Sequence, residues 1–287
     1  MSKLRDAAVR RIYRVGWRIA GKLPRPLVTV IISVASRRAA RHNGTHVRAL
    51  RHNLTAATGA PASNDLVRAA LASYLRNIYE MLALPSWPAR KVINQVEVVG
   101  ELELRSMVAA RGAVVALPHS GNWDLAGAWA CLTRLPVTTV AEELGGGDFE
   151  AFVGFRELLG MEVLSHRDPA AIATLVGAIR RGRVVCLLAD RDLEGRGVPV
   201  RWRGQRVTMP AGPAMVARRS GAALVPAICQ YTPTGMRIVL GAAVKHRPGR
   251  DGLIAMTQEV ADFFAARIAA KPEDWHLMQP FFPAEAD

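Results

Sequence analysis

The chain is short of cysteine, aromatics, acidic residues and long apolar runs, and each shortage removes a class of protein. Three cysteines, Cys131, Cys186 and Cys229, stand far apart among 287 residues. They form neither a disulfide framework nor a zinc spacing, which points to a reducing compartment. Cys186 and Cys229 sit in apolar, strand-like runs, as inert core residues do. Aromatics make up 6%, too few for the stacking platforms that hold single-stranded nucleic acid. No helix-turn-helix, zinc-finger or RNP-type pattern occurs, so a nucleic-acid partner is not expected. The longest early apolar run, Leu27 to Ala35, falls short of the roughly 20 residues that cross a bilayer and lacks the flanks of a signal peptide. No G-x-S-x-G elbow occurs, which leaves a serine hydrolase without support. His42, His46 and His52 lie in a basic stretch without acidic partners, so no metal site is expected.

Half of the residues are apolar and 22% are charged, the balance of a globular chain that can bury a core. Lys and Arg number 38 against 24 Asp and Glu, a formal charge of +14. Such an excess asks for a polyanionic partner: nucleic acid, an anionic membrane or a phosphate-bearing substrate. The charge is concentrated early, where Asp6 is the single acid before residue 53. Leu4, Ala8, Ile12, Val15, Ile19 and Leu23 recur at helical spacing, with Arg10, Arg14 and Arg18 elsewhere on the wheel. This reads as a cationic amphipathic helix that lies in a membrane interface, or packs on the domain, and ends at Pro24 and Pro26. A second helix is predicted from Asn64 to about Leu84.

From about Val96 the pattern alternates. Strands are predicted at Ala113–Leu117, Val137–Ala141, Met161–Leu164, Val184–Ala189, Ala223–Gln230 and Met236–Val244. Helices are predicted at Leu125–Leu132, Phe149–Leu159, Pro169–Arg181, Pro210–Ser220 and Leu253–Ala270. The fold class is therefore α/β, a central, mostly parallel sheet flanked by helices. Residues 1–95 read as a helical, basic, membrane-associating region and residues 96–287 as the α/β core.

Ligands gather at the carboxyl ends of strands in such sheets, and two strand ends here are chemically loaded. The first is Pro118-His119-Ser120-Gly121-Asn122-Trp123-Asp124. His119 is a proton acceptor suited to neutral pH. If the turn folds back, Asp124 can hold its second ring nitrogen and stabilise the imidazolium. Asp124 as a plain helix N-cap is the structural alternative. The second is Asp190-Arg191-Asp192-Leu193-Glu194, with Arg196, Arg201, Arg203 and Arg206 close behind. Those arginines suit phosphates, or form a solvated strand face. Glu142 and Glu143 end another strand, one of them a pocket residue or an arginine partner. Backbone N–H groups from Ser120 to Asn122, or a nearby arginine, are candidate oxyanion donors. Trp123, Leu125, Trp129 and Leu132 surround the box, as candidate walls of an apolar groove or as ordinary core packing, the latter favoured for Trp129 and Leu132.

The box His119-Ser-Gly-Asn-Trp-Asp124 resembles the H-x-x-x-x-D motif of the lysophospholipid acyltransferase superfamily, most closely its bacterial lipid A (lauroyl/myristoyl) branch. Phe155-Arg156 with Leu159-Gly160-Met161 resembles that branch's second block. Asp190-Arg191-Asp192-Leu193 occupies the third, where lipid A enzymes usually carry Asp-Gln. Met209-Pro-Ala-Gly-Pro-Ala214 and Pro272-Glu-Asp-Trp-His276 follow in order. The last and the Asp-Arg-Asp-Leu variant are most similar to the actinobacterial phosphatidylinositol mannoside acyltransferases. The resemblance implies a peripheral enzyme on the cytoplasmic side of the cell membrane. It would use acyl-CoA as co-substrate, no cofactor and no metal. The acceptor would be a glycolipid, with a phosphatidylinositol mannoside ahead of a lipid A precursor, another glycolipid or a lysophospholipid. It implies His119 as general base with Asp124 and Glu194 as catalytic acids, Glu194 being preferred over Asp192 in the third block. Asn122, Trp123, Glu142, Arg156, Asp190, Arg191, Asp192, Arg196 and Arg206 would then contact substrate, Arg156 as the arginine that meets an acceptor phosphate. A lipid-binding protein without chemistry would leave the His119 and Asp124 pairing unexplained.

Overall fold

Ala113-Val-Val-Ala-Leu117 and Val184-Val-Cys-Leu-Leu188 have no polar residue to turn toward water, and both become inner strands of a parallel sheet. The computed structural model describes residues 16, 19–143 and 148–282. Four helices come first: α1 (Arg25–His42), α2 (Thr45–Thr58), α3 (Asn64–Ala83) and α4 (Ala89–Asn94). Then follow β1 (Val96–Val99), α5 (Glu101–Arg111), β2 (Ala113–Leu117), α6 (Trp123–Leu132), β3 (Val137–Ala141), α7 (Asp148–Leu158), β4 (Glu162–Ser165), α8 (Ala171–Arg180) and β5 (Val184–Leu188). A hairpin of β6 (Val198–Trp202) and β7 (Gln205–Met209) precedes α9 (Gly212–Ser220), β8 (Ala223–Tyr231), β9 (Met236–Leu240) and α10 (Gly249–Ala270).

The central sheet has seven strands in the order β1-β9-β8-β2-β5-β3-β4. Every pairing in it is parallel except the β8/β9 hairpin. This is the mostly parallel sheet that the alternating pattern predicts. Alternation along β2 sorts its side chains into two cores. Val114 and Ala116 face α8, α9 and α10, while Ala113, Val115 and Leu117 face α6 with Leu104 and Phe155. A third cluster, with Val47, Leu50, Leu54, Val67 and Leu71, binds α2 to α3.

Most predicted boundaries fall within a few residues of the observed ones, and β2 and β3 coincide. β1 and α5 stand where no element is predicted, and three further stretches need comment. Pro26 does not end a helix; it sits in the first turn of α1, where its missing N–H has no acceptor to lose. The predicted helix over residues 1–23 lies mostly outside the described residues, and its last part is a 3-10 turn, Ala20–Lys22. The arginine-rich stretch after Arg196 is the β6/β7 hairpin, turned by Arg203 and Gly204 at φ +48° and +88°. No described helix is long and apolar enough to cross a membrane.

Candidate active site

Parallel register builds the site. Leu117 pairs with Leu188, and the same offset of 71 residues carries on past the strand ends to bring His119 beside Asp190. The Nδ1 atom of His119 lies 2.6 Å from Asp190 Oδ1. Asp190 Oδ2 accepts from the His119 backbone N–H and from the Trp275 indole N–H, both at 2.9 Å. A carboxylate only accepts, so Nδ1 carries a ring proton, and in the neutral ring Nε2 is the nitrogen with the lone pair. Asp190 is fully buried while the His119 side chain is 22% exposed. Burial alone would push the Asp190 carboxyl up. The charge of His119 and the hydrogen bonds from His119 and Trp275 outweigh it and hold the carboxyl below its ordinary value.

The loop carrying His119 is clamped from the far end of the chain. Gly121 N–H donates to the Asp274 carbonyl (2.9 Å) and His276 N–H to the His119 carbonyl (2.8 Å). Gly121 has φ +56°, and a Cβ there would lie 2.6 Å from the Cys229 carbonyl oxygen, so only glycine lets the box pass over β8. Asn122 caps α6, its Oδ1 accepting from Leu125 N–H at 2.9 Å. Its Nδ2 donates to Glu80 Oε2 at 3.1 Å, and Arg76 holds Glu80 at 2.7 Å.

Behind the loop lies a second imidazole. His276 Nε2 lies 2.9 Å from Ser73 Oγ, and Ser73 donates to Asp274 Oδ1 at 2.7 Å. The hydroxyl's one proton goes to the carboxylate, so His276 Nε2 is the donor and Nδ1 is bare. Burial, then the charge of His119, lowers the His276 pKa to about 3. It is a neutral ring beside His119. Trp123 stands edge-on to His119 with centroids 5.4 Å apart, and tilts toward His276 at 6.4 Å.

Trp123 also walls an apolar cavity between the sheet and α6, with Trp129, Leu117, Leu188 and Met161 on its sides and Asp124 and Arg156 at its polar part. His119 and the cavity thus share Trp123 as a wall. Of the four predicted channel residues, Trp123 and Trp129 line it. Leu125 turns into the core and Leu132 is exposed on the outer face of α6.

The structure redistributes several predicted roles. The carboxylate behind His119 is Asp190, not Asp124. The clamp keeps the turn from folding back, and Asp124, in the first turn of α6, accepts from Arg156 Nε at 2.7 Å instead. Glu194 is 44% exposed and pairs with Arg196 at 3.4 Å; the acid of that loop which reaches His119 is Asp190. Asp192 accepts from the Arg196 and Gly197 N–H groups and closes its own turn. Arg191 pairs with Glu142 at 2.8 Å, the arginine partnership foreseen for one acid of that strand end, while Glu143 meets Ser165 and Arg167. Asn122 is buried and held by its cap and Glu80, away from any substrate surface. Arg196, Arg201, Arg203 and Arg206 are exposed, the last three on a solvated hairpin. The Ser120 and Gly121 N–H groups already donate to the Pro118 and Asp274 carbonyls, so the predicted backbone oxyanion donors are occupied. Trp123 Nε1 is a buried donor without a partner among the described residues. Trp275, His276, Ser73 and Glu80 were not foreseen as site residues; only the Pro-Glu-Asp-Trp-His run signalled the first two. Burial pushes the Cys186 thiol up to about 12, and the side chain lines the apolar cavity instead of closing into the core. Among the described residues no group of three His, Cys, Asp or Glu is placed to share a metal ion.

An imidazole backed by a buried carboxylate, with an open Nε2 and an adjoining apolar cavity, defines a site that can deprotonate a hydroxyl next to a fatty chain. The chain belongs to the bacterial lipid A biosynthesis acyltransferase family, whose sequence pattern matches residues 2–283. It is 39% identical over 282 residues to a phosphatidylinositol mannoside acyltransferase of Mycolicibacterium smegmatis, covering 95% of this chain and 91% of that one. A protein of the same name from Mycobacterium tuberculosis is also 39% identical, with 95% and 88% covered. The resemblance drawn from the motifs is thereby borne out.

Proposed function

We propose that this acyltransferase moves a fatty acyl group from acyl-CoA to a sugar hydroxyl of a phosphatidylinositol mannoside. The single observation that carries the chemistry is the 2.6 Å contact between His119 Nδ1 and Asp190, which leaves Nε2 as the base. In this reading His119 Nε2 takes the hydroxyl proton as the sugar oxygen attacks the thioester carbonyl. The tetrahedral oxyanion is met by the Trp123 indole N–H and the Arg156 guanidinium. The C–S bond then breaks, coenzyme A leaves as thiolate, and the imidazolium returns the proton to it. Asp190 stabilises the imidazolium throughout without taking the proton. The acyl chain occupies the cavity beside Trp123. The names of the relatives support the acceptor.

The same reading places the protein at the cytoplasmic face of an anionic membrane, held by the basic region within residues 1–95. Its support is the local charge excess, since each Lys or Arg near an anionic surface contributes about 1 kcal/mol. Vesicle binding should weaken with added salt; binding indifferent to salt removes the electrostatic attachment. The test of the chemistry is incubation of the purified protein with radiolabelled palmitoyl-CoA and a panel of phosphatidylinositol mannosides, lipid A precursors and lysophospholipids. Label should appear in the mannoside with wild type and not with His119→Ala. Wild-type turnover by His119→Ala rejects the base, and label in another lipid rejects the acceptor.

A further inference from the structure

Helix α1 carries one long face that nothing in the described structure covers. Leu27, Val30, Ile31 and Val34 follow one another on it at three- and four-residue spacing and are 47, 59, 51 and 61% exposed. The same face continues through the next turns as Arg37, Arg38 and Arg41, all exposed. None of these arginines has a hydrogen bond or ion pair among the described residues. Arg37 and Arg41 stand over a concavity of about 580 Å³ that Arg51, Asn43, Asn64, Asp65 and Arg68 complete. Arg51 is fixed there by the Ala62 carbonyl and Asn64 Oδ1, both at 2.9 Å. Arg68 shares its charge with the exposed Asp65 at 3.2 Å, and the pocket also meets the positive end of α3. Four guanidinium groups from three helices thus face one carboxylate.

We propose that this concavity is a phosphodiester site for an anionic phospholipid, whose acyl chains lie along Leu27, Val30, Ile31 and Val34. It is a site distinct from the reacting centre, and it deepens the membrane reading above, on which it rests. Arginine matches phosphate oxygens in pairs, and the two unpaired guanidiniums give the headgroup the charge it needs. The apolar stripe on the same helix face selects a lipid over a free phosphate or a nucleotide phosphate, which have no chains to lay there.

The test uses the full chain and dihexanoyl phosphatidylglycerol kept below its micelle-forming concentration, with binding followed by calorimetry. The same titrations are run with inorganic phosphate and with coenzyme A. Wild type should bind the lipid more tightly than inorganic phosphate. R37Q/R41Q should bind it about tenfold more weakly, the loss expected for charge-assisted contacts, with coenzyme A affinity unchanged. R37K/R41K should keep most of the lipid affinity. Equal lipid affinity in wild type and R37Q/R41Q overturns the proposal, as does an equal loss in the Lys and Gln variants, which would mean a disturbed helix. Coenzyme A affinity falling with that of the lipid, or phosphate binding as tightly as the lipid, overturns the choice of ligand. Acyl transfer to a detergent-dissolved acceptor, measured on the same samples, reads the His119 chemistry separately and should be equal in all three proteins.

Discussion

Replacing His276 by glutamine removes a titrating ring from the interior while keeping an amide that can donate to Ser73. The folded ring takes a proton only near pH 3, because burial and the neighbouring His119 lower its pKa from 6.5 to about 3. In the unfolded chain it protonates at its ordinary value. Between those two values the unfolded state binds one proton more than the folded state. Stability therefore rises with pH across that window; the contribution is complete above pH 6.5 and is lost as pH falls toward 3. Linkage with these two values gives almost nothing lost at pH 7.5 and about 2 kcal/mol lost at pH 5. Groups remote from the ring are common to both proteins and cancel in the comparison. Urea unfolding of wild type and His276→Gln at the two pH values reads the difference directly. The wild type should lose about 2 kcal/mol more than the variant on acidification. An equal loss in both proteins would mean that the ring exchanges protons freely in the fold, and the account of a neutral partner beside His119 would be wrong.

Three further outcomes follow from the same geometry. Asp190→Asn should lower kcat by about a thousandfold or more, since an amide can impose the wrong imidazole tautomer, whereas Glu194→Gln should stay within about twofold; the reverse ranking would restore Glu194 as the functional acid. Trp275→Phe keeps a ring against Trp202, 5.8 Å away and nearly coplanar, but takes one donor from Asp190, and kcat should drop about tenfold with KM for acyl-CoA little changed; a change confined to KM would contradict the positioning role. Gly121→Ala must place a Cβ 2.6 Å from the Cys229 carbonyl at φ +56°, so a thermal scan should show destabilisation of about 3 kcal/mol or more, and an unshifted midpoint would refute the steric account.

The inner strands were legible because a strand covered on both faces reads as an unbroken apolar run, and β2 shows it to the residue. Helix α1 was not, because Pro24 and Pro26 look like a stop whether they end one helix or open the next. The β6/β7 hairpin was half legible, because arginines that alternate with Val200 and Val207 fit a solvated strand face, as observed, as well as a phosphate-binding cluster. His119 was readable as a site residue from its place after a buried strand. Its carboxylate was not, because nearness in sequence favours Asp124 while the true neighbour is set by the β2/β5 register, 71 residues away. Trp275 and His276 were further from reach still, since they arrive by a return of the chain that leaves no local periodicity.

That return has a consequence for how the protein is made. The segment that carries Trp275 and His276 is translated late, whereas the loop and α3 that it fastens emerge much earlier. Until residue 276 is free to swing back, the His119 loop lacks the backbone hydrogen bonds that clamp it. A protease cut near residue 270 would remove Trp275, Leu277 and Phe282 from the core together with that clamp, so the packing of the body and the setting of the imidazole would be lost together.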